Sequence, residues 1–596
     1  MSGFTVPMGI EPAAEWRAVD TSIARWVLAH GGSPLLARTA AWATLAESHG
    51  DTALALSGEG AGRHGAPVLD DEARAALMRE PMVGDGSGPT PTPFVVEHGL
   101  FHLWRLHAQE VAVARMLRER RSTGRPVPLD EATVDALFHG DRSAPVEAQR
   151  RAVQQAPGRR LFVLTGGPGT GKTTTVLRML LGLLHHAGDA GPTVRIAAPT
   201  GKAAQRLAQA LRDGKQRLQA RDDALPAHLQ SLLARIPDDD PLTLHRLLGV
   251  DGRSQRFRHH ADDPLAADIV VVDEASMVDL ALLRGLLAAL RPEASLILVG
   301  DPDQLSAVGA GAVLADLVDA LRREGADDHV ALGHSFRAGD ALQPVLAAIR
   351  AGDVPGFEAA WQDAGDQARR VEVTDSRGLA VATRRWADEL HALWQRCDLT
   401  RATDPADAAA DAARRLREVR ERQLLCALRE GEFGATAINR RIEDDLRART
   451  GRSDDEAWYP GRLVMVGRND YSAGLFNGDV GLCLPDEGGR LWVWFEHTDA
   501  DGVAGARPFA PTLVPTHADA FAITVHKSQG SEYGEVGLVL ATGGRDGLLS
   551  RQLVYTAVSR ARARVEIWAD REAVATAVRS DVHRLSGLGR RITPAG

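Results

Sequence analysis

Short apolar runs, broken by glycine-rich or polar stretches and followed by residues at helical spacing, organise most of this chain. Leu161, Phe162, Val163 and Leu164 stop at a glycine-rich turn, after which Val176, Leu177, Leu180, Leu181 and Leu184 recur on one helical face. The pattern predicts strand, loop, helix. Up to about residue 350 the alternation continues, with strands over 194–198, 269–272 and 296–299, and it predicts a parallel sheet wrapped by helices. A second alternating region supplies strands at 424–428, 523–525, 536–540 and 565–568. Residues 463–495 change to short β-type runs with an Asn477-Gly478-Asp479 turn, which predicts a small β-barrel inserted into the second region.

Ahead of these regions the pattern is helical. Trp16, Val19, Ile23, Trp26 and Val27 share one helical face, residues 80–93 are too rich in Pro and Gly to be regular, and Leu103, Leu106, Val111, Val113 and Met116 predict another helix. RRSTGRPVP, residues 120–128, reads as a linker. The expected organisation is a helical N-terminal module (1–125), a first αβ lobe (126–345) and a second (346–596). A hairpin insert at about 249–264 is signalled by Asp251 and Gly252, and the barrel insert spans about 455–518. Residues 342–420 are expected to be mostly helical, with an Ala- and Asp-rich solvated patch at 406–413. The N-terminal module carries no catalytic constellation, so it either docks onto a partner or packs only on its own chain.

Composition narrows the class. With 596 residues, 44% hydrophobic and 25% charged, the chain is ordinary globular protein with room for several domains. A net charge of -9 excludes a globally basic nucleic-acid binder, so any DNA site is local. Cys397, Cys426 and Cys483 are too far apart for a zinc or iron–sulfur site and are expected to be core thiols in a reducing cytoplasm. No apolar run approaches membrane-spanning length, and the first residues lack the pattern of a secretory leader; the expected location is cytoplasmic.

The chemistry starts at the first turn. Gly166, Gly167, Pro168, Gly169, Thr170 and Gly171, followed by Lys172, Thr173 and Thr174, match a phosphate-binding loop, in which glycines let backbone N–H groups wrap nucleotide phosphates. Lys172 then meets the terminal phosphates and Thr173 holds Mg²⁺. Asp273 and Glu274 follow the apolar run 269–272, so both carboxylates emerge at a strand tip, the aspartate suited to Mg²⁺ and the glutamate to an attacking water. Gln304 ends another strand, where it can sense the terminal phosphate. ATP and Mg²⁺ are the expected cofactors.

In chain order, GGPGTGKTT, APTGKAAQRL, VVVDEASMVD, LVGDPDQLSAVGAG, SFR, ITVHKSQGSEY and VYTAVSRARAR resemble superfamily 1 DNA helicases, and within them the RecD family, over about residues 146–568. The resemblance implies an α/β fold of two RecA-like parallel-sheet lobes with an SH3-like barrel insert. It implies that Gln149 reads adenine and that Arg337 and Arg560 are arginine fingers opposite the departing phosphate. It also places Pro199, Thr200, Gly201, His526, Lys527, Ser528 and Gln529 along a channel for single-stranded DNA. The implied activity is ATP-dependent 5′ to 3′ unwinding of broken duplex ends for recombinational repair, in a heterotrimer with RecB- and RecC-like subunits and with nuclease activity in a partner. The hairpin becomes a candidate strand separator and the barrel a candidate DNA-contacting insert. Two other readings stay open: a stand-alone helicase of the same superfamily, and a DNA-dependent ATPase switch that does not unwind.

Overall fold

The computed structural model describes residues 11–88, 90–220, 225–237, 242–250, 256–336, 341–404, 407–451, 456–470, 472–498, 504–540 and 549–593. Two all-parallel sheets make the fold mixed α/β. The first sheet runs in the order His329–Leu332, Leu161–Gly166, Ser295–Gly300, Ile269–Val272, Val194–Ala198 and Leu242–Thr243. Its central strands are buried on both faces, which is why they read as unbroken apolar runs. Successive side chains still divide between two cores: Leu161 and Val163 join one face, Phe162 and Leu164 the other.

The second sheet runs Ala368–Val371, Ala561–Trp568, Tyr533–Val539, Arg422–Cys426 and Ala522–Thr524. The edge strand Ala368–Val371 lies in a stretch expected to be helical. Half of it is arginine, which hides it from apolar patterning; an edge position leaves Arg369 to pair with Glu566 and Arg370 with Glu358. The Ala-rich patch is also less solvated than expected, for the helix Ala408–Arg420 buries Ala412, Ala413, Leu416 and Val419 against the insert and the second-lobe core. Residue 406 lies outside the described residues.

The insert is a five-stranded antiparallel sheet in the order Ala504–Phe509, Leu491–Thr498, Val480–Pro485, Leu463–Val466 and His517–Asp519. Val464, Val466, Leu475, Val493 and Phe495 give it a small core of its own, while Val480, Leu482 and Leu484 join the second-lobe core. Asp251 and Gly252, where a hairpin turn is expected, lie outside the described residues. Val250 and Phe257 form an antiparallel bridge, and the Phe257 ring seats against Gly285, where a Cβ would lie 2.3 Å from it.

The N-terminal module is more than helical. Besides Ala18–Ala29, Pro34–Ser48, Asp71–Met78 and Trp104–Thr123, it holds a sheet of Leu54–Ala55, Leu100–Leu103, Phe94–Glu97 and Val83–Gly84, the last within the stretch expected to be irregular. The two longer strands are joined by a two-residue turn with positive φ at His98 (51°) and Gly99 (77°), a hairpin geometry reached without the Asn-Gly or Asp-Gly signal. Its first helix buries Asp20, Ala24 and Val27, leaving Val19 53% and Trp26 40% exposed. The expected linker begins as helix: Arg120 is buried and donates to the carbonyls of Leu290, Arg291 and Ala294, fixing Trp104–Thr123 to the first lobe. Both ends of the second lobe depart from the expected 346–596. Leu342 and Val345, ahead of that range, already belong to its core, and Leu588 and Ile592 belong to the core of the first lobe.

Candidate functional site

The glycine-rich loop expected to bind phosphate hangs between the strand Leu161–Gly166 and the helix Lys172–Ala187. Gly169 (φ 73°) and Gly171 (φ 78°) take left-handed backbone that a side chain resists. Close approach demands glycine as well: a Cβ on Gly171 would lie 2.6 Å from Gln149 Nε2, and one on Gly166 2.6 Å from Thr170 Oγ1. The helix begins directly at the loop, where its first-turn amides lack an intrahelical carbonyl to bond, with Thr173 half-buried and Thr174 exposed. Lys172 Nζ donates to Gly166 O (2.7 Å) and Gly167 O (3.0 Å), which brings the ammonium over the loop. Thr170 Oγ1 donates to Gly167 O, and buried Gln149 donates Nε2 to Thr170 O at 3.1 Å. Gln149 and the loop are thus one packed unit.

Asp273 and Glu274 emerge beside it at the end of Ile269–Val272. Glu274 sits in left-handed backbone (φ 51°, ψ 40°), conformational strain of about 1–3 kcal/mol for a residue with a Cβ. Its N–H donates to Asp273 Oδ1 at 2.9 Å. Burial and the Glu274 carboxylate push the Asp273 pKa up, to about 6, and the Lys172 ammonium opposes that rise. Two carboxylates and one ammonium therefore share the edge of the loop: the carboxylates are oxygen ligands of the kind a phosphate-bound divalent cation takes, and the ammonium suits the phosphates themselves.

The second sheet completes this edge. Gln304 donates Nε2 to Asp301 Oδ2 (3.1 Å) and accepts from Arg560 Nη2 (2.5 Å). Arg560, 4% exposed, also donates to Ser531 O and Thr556 O, so among the described residues this buried cation is held by neutral acceptors. Sequence reasoning had singled out both residues, but not the contacts around them. Tyr555 donates its hydroxyl to Asp301 Oδ2 (3.0 Å) and accepts from Arg350 Nη2 (2.9 Å), while Arg350 Nε pairs with Asp303 Oδ2 (2.9 Å). A Cβ on Gly167 would lie 3.1 Å from both Arg350 Nη2 and Tyr555 Oη, so this cluster borders the loop. Burial and the Asp301 charge raise the Tyr555 pKa and keep the hydroxyl a donor. Tyr555 and Asp301 lie inside quoted motifs, whereas Arg350 ends a helix and carries no sequence signal. Arg337 lies outside the described residues; its neighbour Phe336 donates its N–H to Gly169 O at 2.9 Å.

The residues expected along a DNA channel divide. Thr200 caps the helix Gly201–Gln219 by accepting from Ala203 N, next to half-buried Pro199, and Gly201 is covered by Phe476 of the insert, whose Cγ would lie 2.6 Å from a Cβ there. His526 and Lys527 are exposed. Ser528 is buried with its hydroxyl on Val525 O, and Gln529 donates to Leu305 O at 2.8 Å, so its side chain joins the seam between the sheets. Next to Gly201 opens a cavity of about 670 Å³ between that helix, the insert and the second sheet, lined by Lys202, Arg206, Arg246, Arg420, Glu496 and Arg507 among others. Lys202 Nζ is buried there without a hydrogen-bond partner, and burial, with Arg420 nearby, pushes its pKa down to about 7. Sequence reasoning missed this basic cavity because its arginines come from separate stretches.

Residues 149–310, which supply most of the first sheet, match the model of the AAA domain, and residues 519–567, within the second, that of the UvrD-like helicase C-terminal domain. The RecBCD enzyme subunit RecD of Mycolicibacterium smegmatis is 38% identical over 531 residues, covering 88% of this chain and 86% of that one. The RecBCD enzyme subunit RecD of Haemophilus influenzae is 30% identical over 540 residues, 84% of this chain and 81% of that one. The ATP-dependent RecD2 DNA helicase of Deinococcus radiodurans is 31% identical over 84% of this chain but only 60% of its own length. Similarity of this extent, through both parallel sheets and into the regions flanking them, places the chain in the family of RecBCD enzyme subunit RecD.

Proposed function

We propose that the chain is the ATP-dependent 5′ to 3′ DNA helicase subunit of a RecBCD-type complex, working in the cytoplasm on broken duplex ends. The observation that carries this reading is Arg560, a buried cation with no carboxylate partner among the described residues, bonded across the seam to Gln304, which shares Asp301 with the Tyr555 hydroxyl that borders Gly167 of the glycine-rich loop. A buried charge without a counter-ion is costly, and the terminal phosphate of ATP is the anion that relieves it. Lys172 and the loop amides bind the phosphates, and Gln149 orients the base. Glu274 takes the proton of the attacking water as the bond between the terminal phosphorus and its bridging oxygen breaks, releasing ADP and phosphate. Gln304, Arg560 and Arg337 stabilise the charge that develops. Thr173 and Asp273 would hold Mg²⁺, which supplies charge neutralisation at the phosphates.

In this reading the two parallel sheets are RecA-like lobes that close on ATP and reopen after hydrolysis, shifting one lobe along the strand. Thr200, Gly201, His526 and Lys527 track phosphates, and the basic cavity beside the SH3-like insert continues that path. The exposed Val19 and Trp26 suit a RecB- or RecC-like partner. A stand-alone helicase is favoured by one fact, the docking of Trp104–Thr123 on its own chain.

The experiment is unwinding, with ATP and Mg²⁺, of duplexes bearing a 5′ or a 3′ single-stranded tail, by the chain alone and with its partner subunits. Opening only the 5′-tailed duplex supports the proposal, and a need for partners separates subunit from stand-alone enzyme. Opening only the 3′-tailed duplex refutes it, and DNA-stimulated hydrolysis without opening under any condition favours the switch. Lys172→Gln must abolish hydrolysis while the protein stays folded.

A further inference from the structure

Past the helix Arg571–Arg579 the chain leaves the second lobe within a few residues. Asp581 is tied to that lobe by Arg551 Nη1 (2.9 Å) and Gln552 Nε2 (2.7 Å), both at the start of the helix Arg551–Ser559 that leads to Arg560. Three residues later Arg584 Nη1 donates to Gly309 O (2.6 Å) and Gly311 O (2.9 Å) in the first lobe. Gly50 of the N-terminal module covers this guanidinium, for a Cβ there would lie 2.3 Å from Arg584 Cζ, and Gly50 O accepts from Gly311 N at 2.8 Å. Leu585 N then donates to Asp51 Oδ1, and Ser586 and Arg591 both donate to buried Glu110. Three parts of the molecule meet on one segment.

The loop that Arg584 grips begins at the nucleotide edge. Gln304 bonds Arg560, Leu305 N donates to Thr556 Oγ1 (2.8 Å), and Leu305 O accepts from Gln529. Gly309 packs so closely on Asp279 that a Cβ would lie 2.3 Å from Oδ2, and Ala310 O accepts from Leu280 N. The loop is therefore held at its start by the second lobe and at its end by Arg584. Three peptide links, each about 3.8 Å, join the Asp581 and Arg584 anchors, so their Cα atoms separate by no more than about 11 Å however the cleft opens.

We propose that residues 581–591 are a strap limiting how far the lobes part, and that Arg584 is a positioning residue that holds the 305–311 loop so that Gln304 meets Arg560. The inference rests on the helicase reading above for what Gln304 does, but the strap itself is tested without activity. Hydrogen exchange of the full chain reads the loop directly. Arg584→Ala should speed exchange in peptides spanning 301–312 and leave the helix Lys172–Ala187 unchanged; wild-type exchange at 301–312 in the folded variant overturns the proposal. The second readout is DNA-stimulated ATP hydrolysis by the full chain, with its partner subunits where they are required. The expected result is a kcat about tenfold lower at unchanged KM for ATP, with partial recovery in Arg584→Lys. An unchanged kcat, or a rise in KM alone, overturns the positioning role. If wild-type protein itself fails to hydrolyse ATP, the helicase reading falls, while the exchange result still decides the strap.

Discussion

Replacing Arg560 by alanine separates what this residue does for catalysis from what it does for folding. Its three hydrogen bonds, to Gln304 Oε1, Ser531 O and Thr556 O, are charge-assisted and contribute about 1.5–3 kcal/mol each. Against this stands the penalty for burying a cation with no counter-ion among the described residues, several kcal/mol in real proteins. The two nearly cancel, so Arg560→Ala is expected to fold with its stability changed by about 2 kcal/mol or less. Catalysis has no such compensation, because an arginine finger contributes on the order of a thousandfold or more to turnover. The assay is steady-state ATP hydrolysis with single-stranded DNA, paired with thermal unfolding. A kcat lower by about three orders of magnitude, or about 4 kcal/mol in barrier, is expected at a KM within a few fold of wild type. Arg560→Lys keeps the charge but not the planar fork, and should recover only part of the rate. Turnover within a few fold of wild type in folded Arg560→Ala would refute the assignment of this buried charge to the phosphate.

Three further outcomes follow from the same geometry. Gly171→Ala forces left-handed backbone on alanine and drives a Cβ to within 2.6 Å of Gln149 Nε2, so KM for ATP should rise well above wild type; an unchanged KM would mean that loop and glutamine are not one unit. Arg120→Ala strips the carbonyls of Leu290, Arg291 and Ala294 of a buried donor and should destabilise the chain by about 2–4 kcal/mol, read as a lower denaturant midpoint with unchanged specific activity of the folded fraction. Lys202 has its folded pKa lowered to about 7 from 10.5, so its burial destabilises the native state fully below pH 7 and this cost is relieved as pH rises toward 10.5. Lys202→Met should therefore be more stable than wild type at pH 6.5 and lose that advantage by pH 10; an advantage independent of pH would show that the ammonium is not desolvated.

Local pattern was enough for several elements. The run Ile269–Val272 needs no context to be a buried strand, since four β-branched residues between polar flanks suit a sheet covered on both faces. The loop from Gly166 to Lys172 is equally explicit, because its chemistry is backbone and its glycines announce it. Other elements carried no such mark. Ala368–Val371 reads as polar because an edge strand tolerates charge, and the hairpin at His98-Gly99 reaches its turn through a histidine in left-handed backbone.

By itself, then, the sequence determined the alternating αβ order, the glycine-rich loop, the acidic strand tip and the family. These are properties of neighbours in the chain, written at spacings of a few residues. Only the tertiary structure decided which further arginines matter. Arg120, Arg350 and Arg584 look like solvated surface residues, yet each is spent on partners far along the chain: Leu290 lies 170 positions from Arg120, Tyr555 lies 205 from Arg350, and Gly309 lies 275 from Arg584. A guanidinium reaches far, satisfies several acceptors at once and leaves no periodicity behind it, so its role is set by what the fold brings within about 3 Å.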